Sequence, residues 1–180
     1  MLLNLCMFVS YAYGQVKFER GYFINNENHR TDCFIKNYDR ETTPYEFEYK
    51  LNENDVSSKG YIYSVSEFGI TNESKFVRAD VKIDRSSNEI TNLSTQRNPI
   101  WSEEQLFLKV LIEGKATLYQ YKESNFDRFF YSVSGSPVQQ LIYKEYLFKK
   151  EGVAYNFDFR QQLWKDLRLK GKTESSVENI

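Results

Sequence analysis

The chain has 180 residues, 24 Lys and Arg against 25 Asp and Glu, a single His, and a net charge of −1. That balance excludes a general electrostatic attraction to nucleic acid or anionic lipid. The length supports one domain that buries about 70% of its extended surface, and fourteen Tyr, fourteen Phe and two Trp supply apolar area for its core.

Residues 1–14 (MLLNLCMFVSYAYG) form an apolar run without a charged side chain, closing on the small-x-small sequence Ala12-Tyr13-Gly14. This pattern predicts a secretory leader, although only the α-amino group supplies positive charge ahead of it. The competing reading is a buried first strand. The run is shorter than the roughly 20 apolar residues of a spanning helix, so no membrane span is expected once the leader is cleaved. A lipid anchor on Cys6 is rejected because, in Leu3-Asn4-Leu5-Cys6, the bulky Leu5 stands where such sites carry a small residue.

Residues 44–51 (PYEFEYKL) alternate Tyr45, Phe47, Tyr49 and Leu51 with Glu46, Glu48 and Lys50, which predicts a half-buried strand. Val77, Ala79, Val81 and Ile83 repeat the pattern between Arg78, Asp80 and Lys82. Less regular strands are predicted at 16–24, 30–36, 59–68, 106–113, 116–122, 127–134 and 139–148. Clusters such as Asn25-Asn26-Glu27-Asn28, Asn52-Glu53-Asn54-Asp55 and Ser134-Gly135-Ser136-Pro137 punctuate them as turns. Glu113-Gly114-Lys115-Ala116 reads as a two-residue type II′ hairpin. Ser102-Glu103-Glu104-Gln105 has the form of a helix capping box, but alternation of Leu106, Leu108, Val110 and Ile112 favours a strand there. Near the end, Phe159, Leu163, Trp164 and Leu167 fall at helical spacing, predicting a short helix over 158–169 capped by Asp158 and anchored by Trp164. A polar tail follows.

The segments Lys17-Phe18-Glu19-Arg20-Gly21-Tyr22-Phe23-Ile24, Ile83-Asp84-Arg85-Ser86-Ser87, LFLKVLIEGKATLY at 106–119 and FRQQLWKDL at 159–167 together resemble a poorly characterised group of exported Bacteroidota proteins. The resemblance implies a β-rich periplasmic or surface domain, which in longer relatives precedes an outer-membrane barrel. None of these segments is a catalytic signature.

The sequence offers little chemistry. Gly171-Lys172-Thr173 is only the second half of a phosphate-cradling loop, with Asp166 where the first glycine should stand, so nucleotide binding is not expected. His29 falls in a turn, and no Gly-x-Ser-x-Gly elbow accompanies it. Cys33 would be the lone thiol after leader cleavage, which precludes an internal disulfide. Its apolar-alternating context predicts a small buried side chain. His29 and Cys33 alone are too few for a zinc site. Glu46 and Glu48 share a strand face and could in principle flank a glycosidic bond, but a solvated face is the simpler use.

The most unusual connection runs over 84–102 (DRSSNEITNLSTQRNPIWS), a length associated with function in compact domains. Arg85, Arg97, Asn98 and Trp101 on it are the candidate partner surface, because Arg and Trp anchor interfaces. An ordered packing loop is the alternative. Sugar stacking requires that several Tyr be exposed together.

These readings converge on an all-β protein, an antiparallel sandwich or open barrel of about eight to nine short strands with one short C-terminal helix. The expected organisation is a leader over 1–14, a β domain over 15–150, and a helix with its tail over 151–180. The expected function is an exported, non-catalytic envelope interaction or accessory module, periplasmic or on the cell surface. Its partner would be an unidentified protein or glycan, not nucleic acid, with no cofactor or metal. A structural domain of a longer outer-membrane barrel protein is the second class. A carboxylate-dependent hydrolase is the third.

Overall fold

The computed structural model describes residues 17–38, 42–149 and 152–168. The predicted leader, the polar tail and Gly171-Lys172-Thr173 lie outside the described residues. The described residues are mostly β-structure. Ten antiparallel strands form one curled sheet: β1 Lys17–Asn25, β2 Arg30–Asn37, β3 Glu46–Lys50, β4 Ser58–Tyr61, β5 Val65–Ile70, β6 Ser74–Asp84, β7 Trp101–Ile112, β8 Ala116–Glu123, β9 Phe126–Val133 and β10 Gln139–Gln140. Their spatial order is β10-β9-β8-β7-β6-β5-β1-β2-β3-β4. A separate two-stranded sheet pairs β11 Lys144–Leu147 with β12 Val153–Asn156, and helix α1 Phe159–Leu167 ends the described chain.

The all-β class and the single C-terminal helix agree with the sequence, and of the two architectures expected the sheet takes the open, curled one. The strands are more numerous than expected because two predicted segments are each broken. Residues 59–68 divide at a turn where the Ser64 amide donates to the Tyr61 carbonyl. The 139–148 segment divides into β10 and β11, and β12 had no clear alternation to reveal it. The strand prevails over the capping box, as expected, but β7 begins at Trp101, five residues ahead of the predicted 106–113, and so takes in the capping-box residues themselves.

Pairing register places the core on opposite faces of the sheet in its two halves. Residues directly opposite one another share a face, and successive residues alternate. Phe23 faces Phe68, which faces Phe76, and these rings join Cys33, Ile35, Phe47, Val65, Ile70 and Phe107 in one core. Val77 faces Leu108, and Ala79 faces Leu106. They belong to a second core with Val81, Ile83, Tyr119 and Phe130. Phe76 and Val77 are neighbours on β6, and Phe107 and Leu108 are neighbours on β7, yet each pair is split between the cores. The sheet therefore curls one way over β1–β5 and the other way over β6–β10, with β6 and β7 shared.

Small residues permit the first curl. A Cβ on Gly21 would lie 2.3 Å from the Gly69 carbonyl oxygen and 2.8 Å from the Ile35 side chain, and one on Gly60 would lie 2.3 Å from the Phe47 ring. Absent side chains at such points let a sheet bend sharply and let an aromatic ring pack on bare backbone. Phe47 then stacks on Phe68 at 4.1 Å, and Phe107 meets Phe68 edge-on at 4.9 Å. In the second curl, β10 returns beside β6, where the Asp84 amide donates to Gln140 Oε1 at 2.8 Å.

Four sequence expectations need correction. Tyr45 and Leu51 are 72% and 56% exposed, because they lie outside the paired part of β3; only Phe47 and Tyr49 of that set join the core. Gly114 is absent from the positive-φ residues, so the β7–β8 turn is not type II′; a register shift between Val110 and Ile112 precedes a wider connection in which Ile112 faces Leu118. Asp158 makes no side-chain cap bond to α1, since its carboxylate is taken by Arg97. Trp164 is only half-buried, so α1 rests on the sheet without a fully buried anchor.

Candidate binding site

The connection between β6 and β7 is held by a buried polar cluster. Asp84, 1% exposed, lies 3.3 Å from Lys144 Nζ, which is 3% exposed as a residue. The carboxylate accepts further hydrogen bonds from the Ser86 amide and hydroxyl and from the Ile100 amide. Lys144 also donates to the Asn98 carbonyl at 2.9 Å. Arg128, buried on β9, donates to the Asp84, Ser86 and Asp127 carbonyls and to Asn88 Oδ1, and burial pulls its pKa down. A charge at such depth is sustained only when paired and fully hydrogen-bonded. The connection is thus an ordered segment, with a short 3-10 turn at Ile90–Asn92 and Leu93 buried beneath it.

Of the four predicted surface residues, the two arginines and the asparagine are occupied by internal contacts. Arg85 forms a fork on Glu104 at 2.9 and 2.5 Å and reaches Glu123 at 2.9 Å, while its guanidinium lies over Tyr121 and Phe126. That fork holds the Glu104 carboxyl below its usual range. Arg97 pairs with Asp158 at 2.6 Å and ties the connection to the start of α1. Asn98 supplies its carbonyl to Lys144 and its side-chain oxygen to Arg97. Trp101 differs. It is 44% exposed and stands on the rim of a cavity of about 760 Å³.

That cavity is bounded by the ends of β6 and β7, by the segment from Pro137 to Ile142, and by Gln162 of α1. Val81, Val138 and Ile142 line it beside Asp80, Lys82 and Glu103. Its rigid wall is the Gln140–Gln162 pair: the Gln162 amide donates to the Gln140 carbonyl and accepts from the Ile142 amide. Asp166 of α1 meanwhile accepts from the Tyr131 hydroxyl at 2.8 Å and from Gln139. An aromatic ring beside apolar side chains and a few oriented polar groups is the usual make-up of a small-ligand or peptide pocket.

The other sequence candidates have structural uses. Glu46 pairs with Lys59 at 2.5 Å, and Glu48 accepts from Lys36 at 3.0 Å and from the Tyr38 hydroxyl. The Tyr38 bond is foremost in keeping the Glu48 carboxyl below its ordinary range. Cys33 is buried, and burial pushes its thiol up to about 12. His29 sits in the predicted turn, where Asn25 Oδ1 accepts from the Glu27 and His29 amides. Among the described residues, no group of three or more His, Cys, Asp or Glu is placed to hold a metal ion, and no helix is long and apolar enough to cross a membrane.

Sequence reasoning missed Arg128, Gln140, Lys144 and Gln162. Arg128 left a trace, since it occupies the inward parity between Phe126 and Phe130. Lys144 left none, because its partner Asp84 lies 60 residues away in an unrelated strand. Comparison of the chain with protein-family models, with curated proteins and with solved structures finds no match, so the geometry of the site alone bears on what it does.

Proposed function

We propose that the protein is an exported, non-catalytic interaction module of the cell envelope that takes a protein or glycan partner at the Trp101 cavity. The observation that carries this reading is the contrast at the β6–β7 connection. Arg85, Arg97 and Asn98 are consumed in internal contacts, whereas the Trp101 ring is left open beside a ligand-sized space. An exposed indole next to apolar walls gains free energy when covered, on the order of 25 cal/mol per Å² removed from water. The use of Glu46 and Glu48 as ion-pair partners supports a binding role over carboxylate chemistry. The leader-like start of the chain supports export.

Trp101 is its own reporter. Titration of the intact protein with the host's soluble envelope material, separated into protein and glycan fractions, should shift its fluorescence with one fraction, and Trp101→Ala should abolish the shift while Trp164 keeps its signal. No shift with either fraction, or a shift that survives in Trp101→Ala, would contradict the reading. For export, mass spectrometry of the protein from exporting cells should find Gln15 as the first residue; an intact Met1 would refute it.

A further inference from the structure

The small sheet β11–β12 buries one face and leaves the other open. Lys144 and Asn156 lie opposite each other and point into the body, where they hold Asp84 and the Arg97 carbonyl. By the two-residue period, Glu145 and Tyr155, also opposite each other, take the other face, with Tyr143 and Phe157 extending it just beyond the paired residues. The three rings are 43%, 48% and 42% exposed. They form a continuous array: Tyr155 stacks with Phe157 at 5.8 Å, and Tyr143 lies 5.7 Å from Phe157 and 6.4 Å from Tyr155. Phe159 extends it at 6.3 Å, and the Arg160 guanidinium lies 4.9 Å from the Phe157 ring centre.

The chemistry of the rim selects among occupants. The Tyr143 hydroxyl donates to Glu145 at 3.0 Å, and Arg160 has no ion-pair partner among the described residues. An apolar surface, with Tyr155 and Phe157 near parallel and Tyr143 tilted across them, is thus edged by a carboxylate acceptor and a guanidinium donor whose charges cancel. A pyranose ring has the matching division, a face of C–H groups and a rim of hydroxyls that donate and accept. The electron-rich face of an aromatic ring attracts such C–H groups. A second copy of the chain or another protein fits less well. Rings of this size, a little under half exposed, present together on the order of 300 Å², under half of the roughly 800 Å² per partner of a stable protein interface.

We propose that Tyr143, Tyr155 and Phe157 form a carbohydrate-binding platform for a neutral oligosaccharide, with Glu145 and Arg160 bonding its hydroxyls. This surface is separate from the Trp101 cavity and stands or fails independently of it. Isothermal titration of the intact protein with cellohexaose, xylohexaose, chitohexaose and maltohexaose tests the proposal. At least one should bind with a dissociation constant between about 10 μM and 1 mM. Loss of one stacking ring should weaken that binding by roughly tenfold, so Tyr155→Ala and Phe157→Leu should both do so. Tyr155→Phe should stay near the wild type. Phe157→Leu keeps apolar bulk without the ring and so separates stacking from simple apolar contact; circular dichroism checks that each variant folds. The proposal is overturned if none of the four sugars binds at millimolar concentration, or if Phe157→Leu binds as the wild type does. It is also overturned if sedimentation shows a dimer that Phe157→Leu dissociates, which would assign the face to a second copy.

Discussion

The two curls of the sheet are stabilised by different means. Over β1–β5 the interior is a run of contacting rings, Phe23, Phe47, Phe68, Phe76 and Phe107, stacked, tilted or edge-on to one another and seated against backbone that Gly21 and Gly60 keep bare. Over β6–β10 the interior mixes aliphatic side chains with Phe130, Tyr119 and Phe126, and its open end is closed by Asp84, Arg128, Gln140 and Lys144. Ring packing tolerates stacked, tilted and edge-on geometries and depends mainly on shape. A buried polar cluster fixes direction and register, because each member is costly unless every partner is in place. The curl that depends on directional bonds is also the one that carries the β6–β7 connection, the Trp101 cavity and α1. A binding surface gains from that arrangement, since it holds Trp101 at a defined position.

Removing one member of the polar cluster should have the largest effect. Lys144→Met leaves Asp84 buried without its counter-charge and should cost about 3–5 kcal/mol of stability in denaturant unfolding. Adding Asp84→Asn should recover part of the loss, and a double variant no better than the single one would break the contrast. Next comes the aromatic curl: Gly60→Ala places a methyl group inside the Phe47 ring and should cost about 1–3 kcal/mol. Hydrogen exchange distinguishes the two halves, since Lys144→Met should loosen β9 and β10 first and Gly60→Ala should loosen β3 and β4 first.

Smaller effects follow from the outer faces. Each half buries a phenol against a carboxylate, Tyr22 on Glu67 at 2.6 Å and Tyr131 on Asp166 at 2.8 Å. Burial, then the Glu67 bond, pushes Tyr22 up to about 12, and the same kind of surroundings raise Tyr131 as well. A folded-state pKa above the ordinary value of 10 favours the neutral phenol. Its stabilisation is therefore complete below pH 10 and is lost as pH rises towards 12. Tyr22→Phe should flatten the alkaline decline of stability over that window, and an unchanged slope would remove Tyr22 from the account. Smallest of all, Arg97→Ala breaks a half-exposed pair with Asp158 and should cost no more than about 1 kcal/mol.

The alternating strands were legible because a period of two is a local signal: Val77, Ala79, Val81 and Ile83 all join one core. What alternation does not encode is which face of the sheet is closed. Phe47 and Val77 both read as inward, and both are, but the sheet has two insides. The polar cluster escaped for a related reason, since Asp84, Arg128 and Lys144 come from three distant segments and only their meeting makes them a unit. Asp158 read as a helix cap because its neighbours are helical; Arg97, 61 residues away, claims the carboxylate. The candidate site was legible at Trp101 and not at the arginines beside it. Side-chain type identifies an interface former, whereas contacts made elsewhere in the chain decide whether it remains free to act as one.

The reversal of the buried face between β5 and β7 sets the two halves of the sheet apart, and nuclear Overhauser contacts from Phe107 and Leu108 report on it. These residues are sequence neighbours, so a single-faced core would give them no separate sets of interior partners. The fold described here predicts contacts from the Phe107 ring to Phe68 and Phe47, and from the Leu108 methyls to Ile83 and Phe130. Contacts from both residues to one shared set of core side chains would contradict it.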